Sequence, residues 1–230
     1  MPDGITSAAN ALRYWERRQE IVSNNLANAS TDGFKAERVF ARLMGVSEPV
    51  ADTATDRRDG TFRETGAQLD LAIEGDGFLV AATPRGERLT RGGSLRLDAE
   101  SRLVTADGSP LLGEKGPIVI AGATASIDRT GLVTVDGKVV DRLRMERVAP
   151  AAKLEHDAGT MFVPDASRQS IALDQRKLEQ GFVEESNVNT IGSMVDMISI
   201  QRNYAAVQKA ITTLDGIRGT ITNDLGRLKG

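Results

Sequence analysis

The sequence predicts an α+β protein in which an N-terminal and a C-terminal helix form a coiled-coil-like pair beside a central, mainly antiparallel β domain. Three observations predict it. Apolar residues recur every three or four positions at both ends of the chain, they alternate every second position in the middle, and turn residues punctuate that middle at short intervals. With 230 residues and 40% apolar side chains, there is core for one and a half domains of about 150 residues each.

At the N-terminus, Ile5, Ala8, Leu12, Trp15, Gln19, Val22 and Leu26 follow in steps of three and four with a single polar member, a heptad seam. Arg13, Glu16, Arg17, Arg18 and Glu20 fall outside it, as a solvated face does. The helix is expected to end near Asn28, where Ala29-Ser30-Thr31-Asp32-Gly33 gathers capping and turn residues. The C-terminus repeats the pattern through Met197, Ile200, Tyr204, Val207, Ile211, Leu214, Arg218, Ile221, Leu225 and Leu228. A second apolar line, Ile191, Val195, Ile198, Ala205 and Ile217, runs on a neighbouring face, so this helix has more apolar surface than one partner helix covers. Ser186, Asn187 and Asn189 are candidate caps for its start. Gly192, Gly216, Gly219 and Gly226 each cost up to about 1 kcal/mol relative to alanine, so the helix depends on its neighbours.

Between the helices the period falls to two. Leu69, Leu71 and Ile73 alternate with Asp70, Ala72 and Glu74 before Gly75-Asp76-Gly77 turns the chain into Phe78-Leu79-Val80. Leu132 to Val140 encloses Asp136-Gly137, the two-residue loop of a tight hairpin. Further strands are expected at 143–148 and 160–163, which together describe a sandwich or barrel-like domain. The expected division is a helix and turn at 1–35, an extended connector at 36–68, a β domain at 69–180 and the C-terminal helix at 181–230.

Composition removes most site chemistry. The absence of cysteine excludes disulfides, thiolate metal sites and cysteine nucleophiles, and one histidine cannot form an imidazole pair. No catalytic, cofactor-binding or metal residue is assigned, and no enzyme is expected. A net charge of −3 argues against nucleic acid, which demands a basic stripe. No run approaches the ~20 apolar residues of a membrane span, and the opening residues lack a secretory signal. By that test alone the chain reads as cytosolic.

The local candidates read as structure. Gly75-Asp76-Gly77-Phe78 resembles part of a nucleotide loop, but a β run follows where a phosphate site needs a helix N-terminus. Thr90-Arg91-Gly92-Gly93-Ser94 has the composition of an anion cradle and is explained with less by a bend between strands. The pairs Glu74 with Asp76 and Glu184 with Glu185 read as exposed charges, and His156 as a surface-loop histidine. Arg218 in the seam and Arg202 beside the second stripe are either snorkelled side chains or polar residues that fix register. Asn24, Asn25 and Asn28 exceed what helix capping requires and invite a packing or assembly explanation.

Three ordered segments carry a family resemblance. Asn24-Asn25-Leu26-Ala27-Asn28-Ala29-Ser30-Thr31-Asp32-Gly33-Phe34-Lys35 resembles the N-terminal signature of the bacterial flagellar rod and hook family. Leu69 to Phe78 with Leu89-Thr90-Arg91-Gly92-Gly93-Ser94 resembles its central signature, and Gly181 to Asn189 with Gln201-Arg202-Asn203-Tyr204 its C-terminal one. Length, the 112–118 stretch and Asp141 to Met145 are most similar to proximal rod members, whereas Ile200 to Tyr204 is similar to distal ones. The hook protein is normally longer.

The resemblance implies a structural subunit of the flagellar basal-body rod that self-assembles through its terminal helices into a torque-transmitting axial tube. It implies no cofactor. Its implied partners are other rod subunits and the flagellar export apparatus, with a periplasmic place reached without a cleavable signal. Assembly is then expected to fall on Leu12, Trp15, Val22, Leu26, Asn24, Asn25, Asn28, Asn187, Ile200, Tyr204, Ile211, Leu214, Ile221 and Leu225. A reading from another class is a ligand-binding β domain on a helical dimerisation stalk, which stops at a fixed size where a rod subunit grows.

Overall fold

Among the described residues two long helices bracket seventeen short strands, and every described strand pairing is antiparallel. A computed structural model of the chain describes residues 4–44, 47–150 and 152–227. They fall into two units, one within Met1–Ala27, Glu37–Ala54 and Asn189–Gly230, the other Asn28–Ala36 with Thr55–Val188. The fold is α+β, as the periodicities predict.

The first unit holds α1 (Gly4–Ala27), the strand pair β1 (Glu37–Met44) and β2 (Ser47–Thr55), and α2 (Thr190–Arg227). α1 ends one residue before Asn28, where the turn residues begin. α2 starts after Asn189, whose side-chain oxygen accepts from Gly192 N at 2.9 Å. Of the three candidate caps it is Asn189 that serves, satisfying an N–H that has no partner inside the helix. α1 packs along α2.

The second unit holds β3 (Phe62–Glu64), β4 (Leu71–Ile73), β5 (Phe78–Thr83), β6 (Gly86–Thr90), β7 (Arg96–Leu97), β8 (Leu103–Val104), β9 (Ala125–Ile127), β10 (Leu132–Val135) and β11 (Lys138–Arg142). It continues with β12 (Met145–Arg147), β13 (Glu155–Ala158), β14 (Met161–Val163), β15 (Gln169–Ser170), β16 (Leu178–Gln180) and β17 (Phe182–Glu184). The largest sheet runs β13-β14-β6-β5-β12-β15, beside a three-stranded sheet β11-β10-β9 and the pairs β16-β4, β17-β3 and β7-β8. β5 lies at the centre of the core. Its Leu79 and Ala81 enter one apolar cluster and Phe78 and Val80 the other, which is why the run is apolar without alternation. The hairpin of β10 and β11 turns on Asp136 (φ 48°) and Gly137 (φ 78°), two left-handed residues as a type I′ turn requires.

Three expectations change. The 36–68 stretch is not a plain connector, because it contains β1 and β2 as a pair and β3 against β17. Residues 28–36, 55–68 and 181–188 belong to the β unit, which is therefore larger than 69–180. Ala72 is 1% exposed between buried Leu71 and Ile73, so β4 is covered on both sides and the apparent alternation is not a solvent face.

Candidate assembly surface and a buried ion node

In α1, Val22 is buried, and Ala8, Leu12, Trp15, Gln19 and Leu26 are half-buried, so the seam faces inward. Ile21, outside the seam, is buried as well. In α2, Ile200 is fully buried and Met197, Tyr204, Val207 and Ile211 are half-buried. The Tyr204 hydroxyl donates to Glu16 Oε1 at 3.0 Å, a hydrogen bond that raises the tyrosine pKa above its ordinary value. Arg18 lies 3.7 Å from Asp196. Leu214 is 39% exposed. Ile221, Leu225 and Arg218 lie outside the residues whose side chains are described.

The second stripe of α2 is open. Ile191 is 77% exposed, and Met194, Val195, Ile198 and Ile217 are each half exposed or more. Apolar area of this extent on one face marks a contact surface more often than free solvent.

Asn25 and Asn187 bond within the chain through their side chains. Asn25 is buried and its amide makes two bonds with one backbone residue, donating to Glu37 O at 2.8 Å and accepting from Glu37 N at 2.9 Å. It thus joins α1 to β1 as a strand neighbour would. Asn28 O accepts from Thr31 N at 3.1 Å in the turn that follows, and Asn24 is exposed. Asn187 accepts from Ala36 N at 2.8 Å and donates to the carbonyls of Asp56 and Arg58, both at 2.9 Å.

At the heart of the second unit lies a group of ions that periodicity does not announce. Glu184, at the end of β17, is 1% exposed. Its Oε1 accepts from Lys35 Nζ at 2.5 Å and from Gly60 N at 2.8 Å, and its Oε2 from Arg91 Nε at 2.8 Å. Arg91, 3% exposed, also reaches Asp59 Oδ1 at 2.7 Å and donates to the carbonyls of Ile73, Gly75 and Gly77. Lys35, 1% exposed, donates to Arg58 O at 2.7 Å. Burial, reinforced by the Arg91 charge, holds its ammonium below the ordinary lysine pKa, while Glu184 and Asp59 pull the other way. Two cations face two carboxylates, Glu184 inside and Asp59 at the exposed rim, so the charges of the group balance, the condition under which such ions are tolerated.

This corrects one reading and sharpens another. Glu184 is not an exposed member of a pair with Glu185, because its three donors and the Arg91 charge replace the water it loses. Thr90 to Ser94 is a bend, but one in which Arg91 is a hub; a Cβ on Gly93 would stand 1.8 Å from Leu71 O, so only glycine fits that approach. His156 is corrected too. It sits on β13 with its ring 4.4 Å from that of Phe162 and 5.4 Å from that of Phe34, held by aromatic packing.

The three signature segments therefore meet at one point: Lys35 from the first, Arg91 with Gly75 and Gly77 from the second, Glu184 with Asn187 from the third. Known proteins match the chain over stretches that contain or adjoin these segments. Residues 5–35 match the family described as "Flagella basal body rod protein", 72–143 match "Flagellar hook protein FlgE/F/G D1 domain", and 179–225 match "Flagellar basal body rod FlgEFG protein C-terminal". The flagellar basal-body rod protein FlgF of Escherichia coli is 30% identical over 95% of this chain and 96% of its own length. The chain belongs to the flagellar basal-body rod protein family.

Other rod proteins align over the same extent. FlgF of Caulobacter vibrioides is 28% identical over 92% of this chain and 93% of that protein, and FlgG of Bacillus subtilis 27% identical over 95% and 97%. The rod protein described here is a structural, non-enzymatic subunit of the flagellar basal body, where it assembles with other rod subunits. None of its described helices is long and apolar enough to cross a membrane. Among the described residues no group of three or more acidic or imidazole side chains is placed to hold a metal ion.

The rod protein's ion node was reachable from sequence only through the signatures. Lys35, Arg91 and Glu184 are 56 to 149 positions apart, and each neighbouring run is polar enough to pass for solvated surface. All three fall within the segments that resemble family signatures.

Proposed function

We propose that this subunit builds its part of the rod through the terminal helices, with α1 and α2 pairing in coiled-coil fashion on the inner wall of an axial tube of rod and hook type. In this reading the helices within 1–35 and 181–230 supply the helical core of the tube. The seam residues Leu12, Trp15, Val22, Ile200, Tyr204, Ile211 and Leu214 unite the pair, and the second stripe meets adjacent subunits. The supporting observation is that stripe: Ile191, Val195, Ile198 and Ile217 are half exposed or more along one helix. Covering each contributes about 1.5–3 kcal/mol, and repetition over many copies makes a shaft stiff enough to carry torque.

The same reading places the subunit toward the proximal end of the rod, in the periplasm, delivered by the flagellar export apparatus. The FlgF relatives support the position within the rod. Light scattering against protein concentration tests the assembly mode. Open-ended growth is expected. A particle that stops at two copies overturns it in favour of a dimerisation stalk.

A further inference from the structure

The chain passes between its two units four times, after residues 27, 36, 54 and 188. On the β-unit side, three of these crossings are tied together. Asp56 N donates to Ala36 O at 2.7 Å. Asn187 accepts from Ala36 N and donates to the carbonyls of Asp56 and Arg58, so one side chain holds all three strands of chain. Directly behind it, Glu184 binds Lys35, Gly60 N and Arg91, and its own carbonyl accepts from Gly33 N at 2.6 Å.

The ties of Lys35, Ala36 and Gly60 to the C-terminal segment span 124 to 151 positions, and that of Arg91 spans 93. Until residues 182–187 arrive, Lys35 and Arg91 share one carboxylate, Asp59, and the N–H groups of Gly33, Ala36 and Gly60 lack their acceptors. Burying that set costs more than leaving it in water, because a surplus cation and unpaired donors would enter a dry interior. We infer that the node is a completion latch: residues 31–36 and 55–60 stay open until the segment 182–187 docks, and the three then close as one. A chain lacking its last strand thus cannot fix the roots from which its helices leave the β unit. The inference stands independently of how the helices assemble.

Hydrogen exchange on the full-length chain tests it through amides that Asn187 does not touch. In Asn187→Ala, Gly33, Asp56 and Gly60 are expected to lose protection together, by about a hundredfold, while the β5–β6 ladder keeps its own. Loss confined to Ala36, the one amide bonded to that side chain, overturns the latch. In pulse-labelled refolding of the unaltered chain, Gly33, Asp56 and Gly60 are expected to gain protection no earlier than Glu185, which donates to Thr61 O. Protection of Asp56 or Gly60 in a phase before Glu185 overturns it equally.

Discussion

Lys35 Nζ stands 2.5 Å from Glu184 Oε1 across 149 positions of sequence, with each side chain 1% exposed. The two partners are not equivalent. Removing the carboxylate leaves the buried Lys35 and Arg91 facing Asp59 alone, whereas removing the ammonium leaves Glu184 and Asp59 sharing Arg91, with Asp59 open to water at 31% side-chain exposure. Glu184→Gln is therefore expected to destabilise the β unit by about 3–5 kcal/mol in urea unfolding, and Lys35→Met by less. Lys35→Met added to Glu184→Gln is expected to recover stability, since it removes the surplus cation. A double variant no more stable than Glu184→Gln would show that charge balance does not govern the node.

On α2, Leu214 and Ile198 are 39% and 52% exposed within the chain. Leu214→Asp and Ile198→Asp are each expected to leave the thermal unfolding of the β unit within about 0.5 kcal/mol of its original value. Both are expected to abolish incorporation into rods, because a partner helix would cover an unpaired carboxylate. Normal swimming of cells carrying Leu214→Asp would remove that residue from the assembly seam.

Glu87 sets part of the acid limit. Hydrogen bonds from Arg144, with Arg168 adding to them, lower its pKa from 4.5 to about 2. The folded pKa is depressed, so this contribution is full above pH 4.5 and is lost as pH falls toward 2. Glu87→Gln is expected to flatten the stability profile in that window and to leave its shape near neutrality unchanged. An acid limb as steep as the original would assign the loss to other carboxylates.

Two glycines separate close approach from turn conformation. Gly93→Ala would bring a Cβ 1.8 Å from Leu71 O, whose residue donates its N–H to Gly93 O at 3.0 Å, so a loss of about 4 kcal/mol or more is expected. Gly137→Ala meets nothing within 4 Å and carries only the cost of its φ of 78°, about 1–2 kcal/mol. Comparable melting temperatures for the two variants would contradict the close approach at Gly93.

Much of the fold was legible because its signals are local. The seam of α1 ends where the capping residues collect, and Asp136-Gly137 sits at the tip of its hairpin. The second stripe of α2 could be read as surplus from spacing alone, and it is exposed. The ion node was not legible in that way. Arg91 looks like part of a glycine-rich bend and Glu184 like half of a solvated pair until the turns carrying Gly60, Gly75 and Gly77 are brought around them. Asn25 shows the same limit: its excess over capping needs could be noticed, but not that Glu37 would take both ends of its amide.

By itself the sequence determined the helices, the β character of the middle, the lack of thiol and imidazole chemistry, and, through three signatures, the rod family. Each of these depends on neighbours in the chain or on residue types that are simply present or absent. Tertiary structure alone decided that Lys35, Arg91, Glu184 and Asn187 converge, and that 28–36 and 181–188 belong to the β unit. The physical reason is that burying a charge is favourable only when its counter-charge and donors arrive with it, and here Lys35 and Gly60 N reach Glu184 across more than a hundred residues and Arg91 across 93.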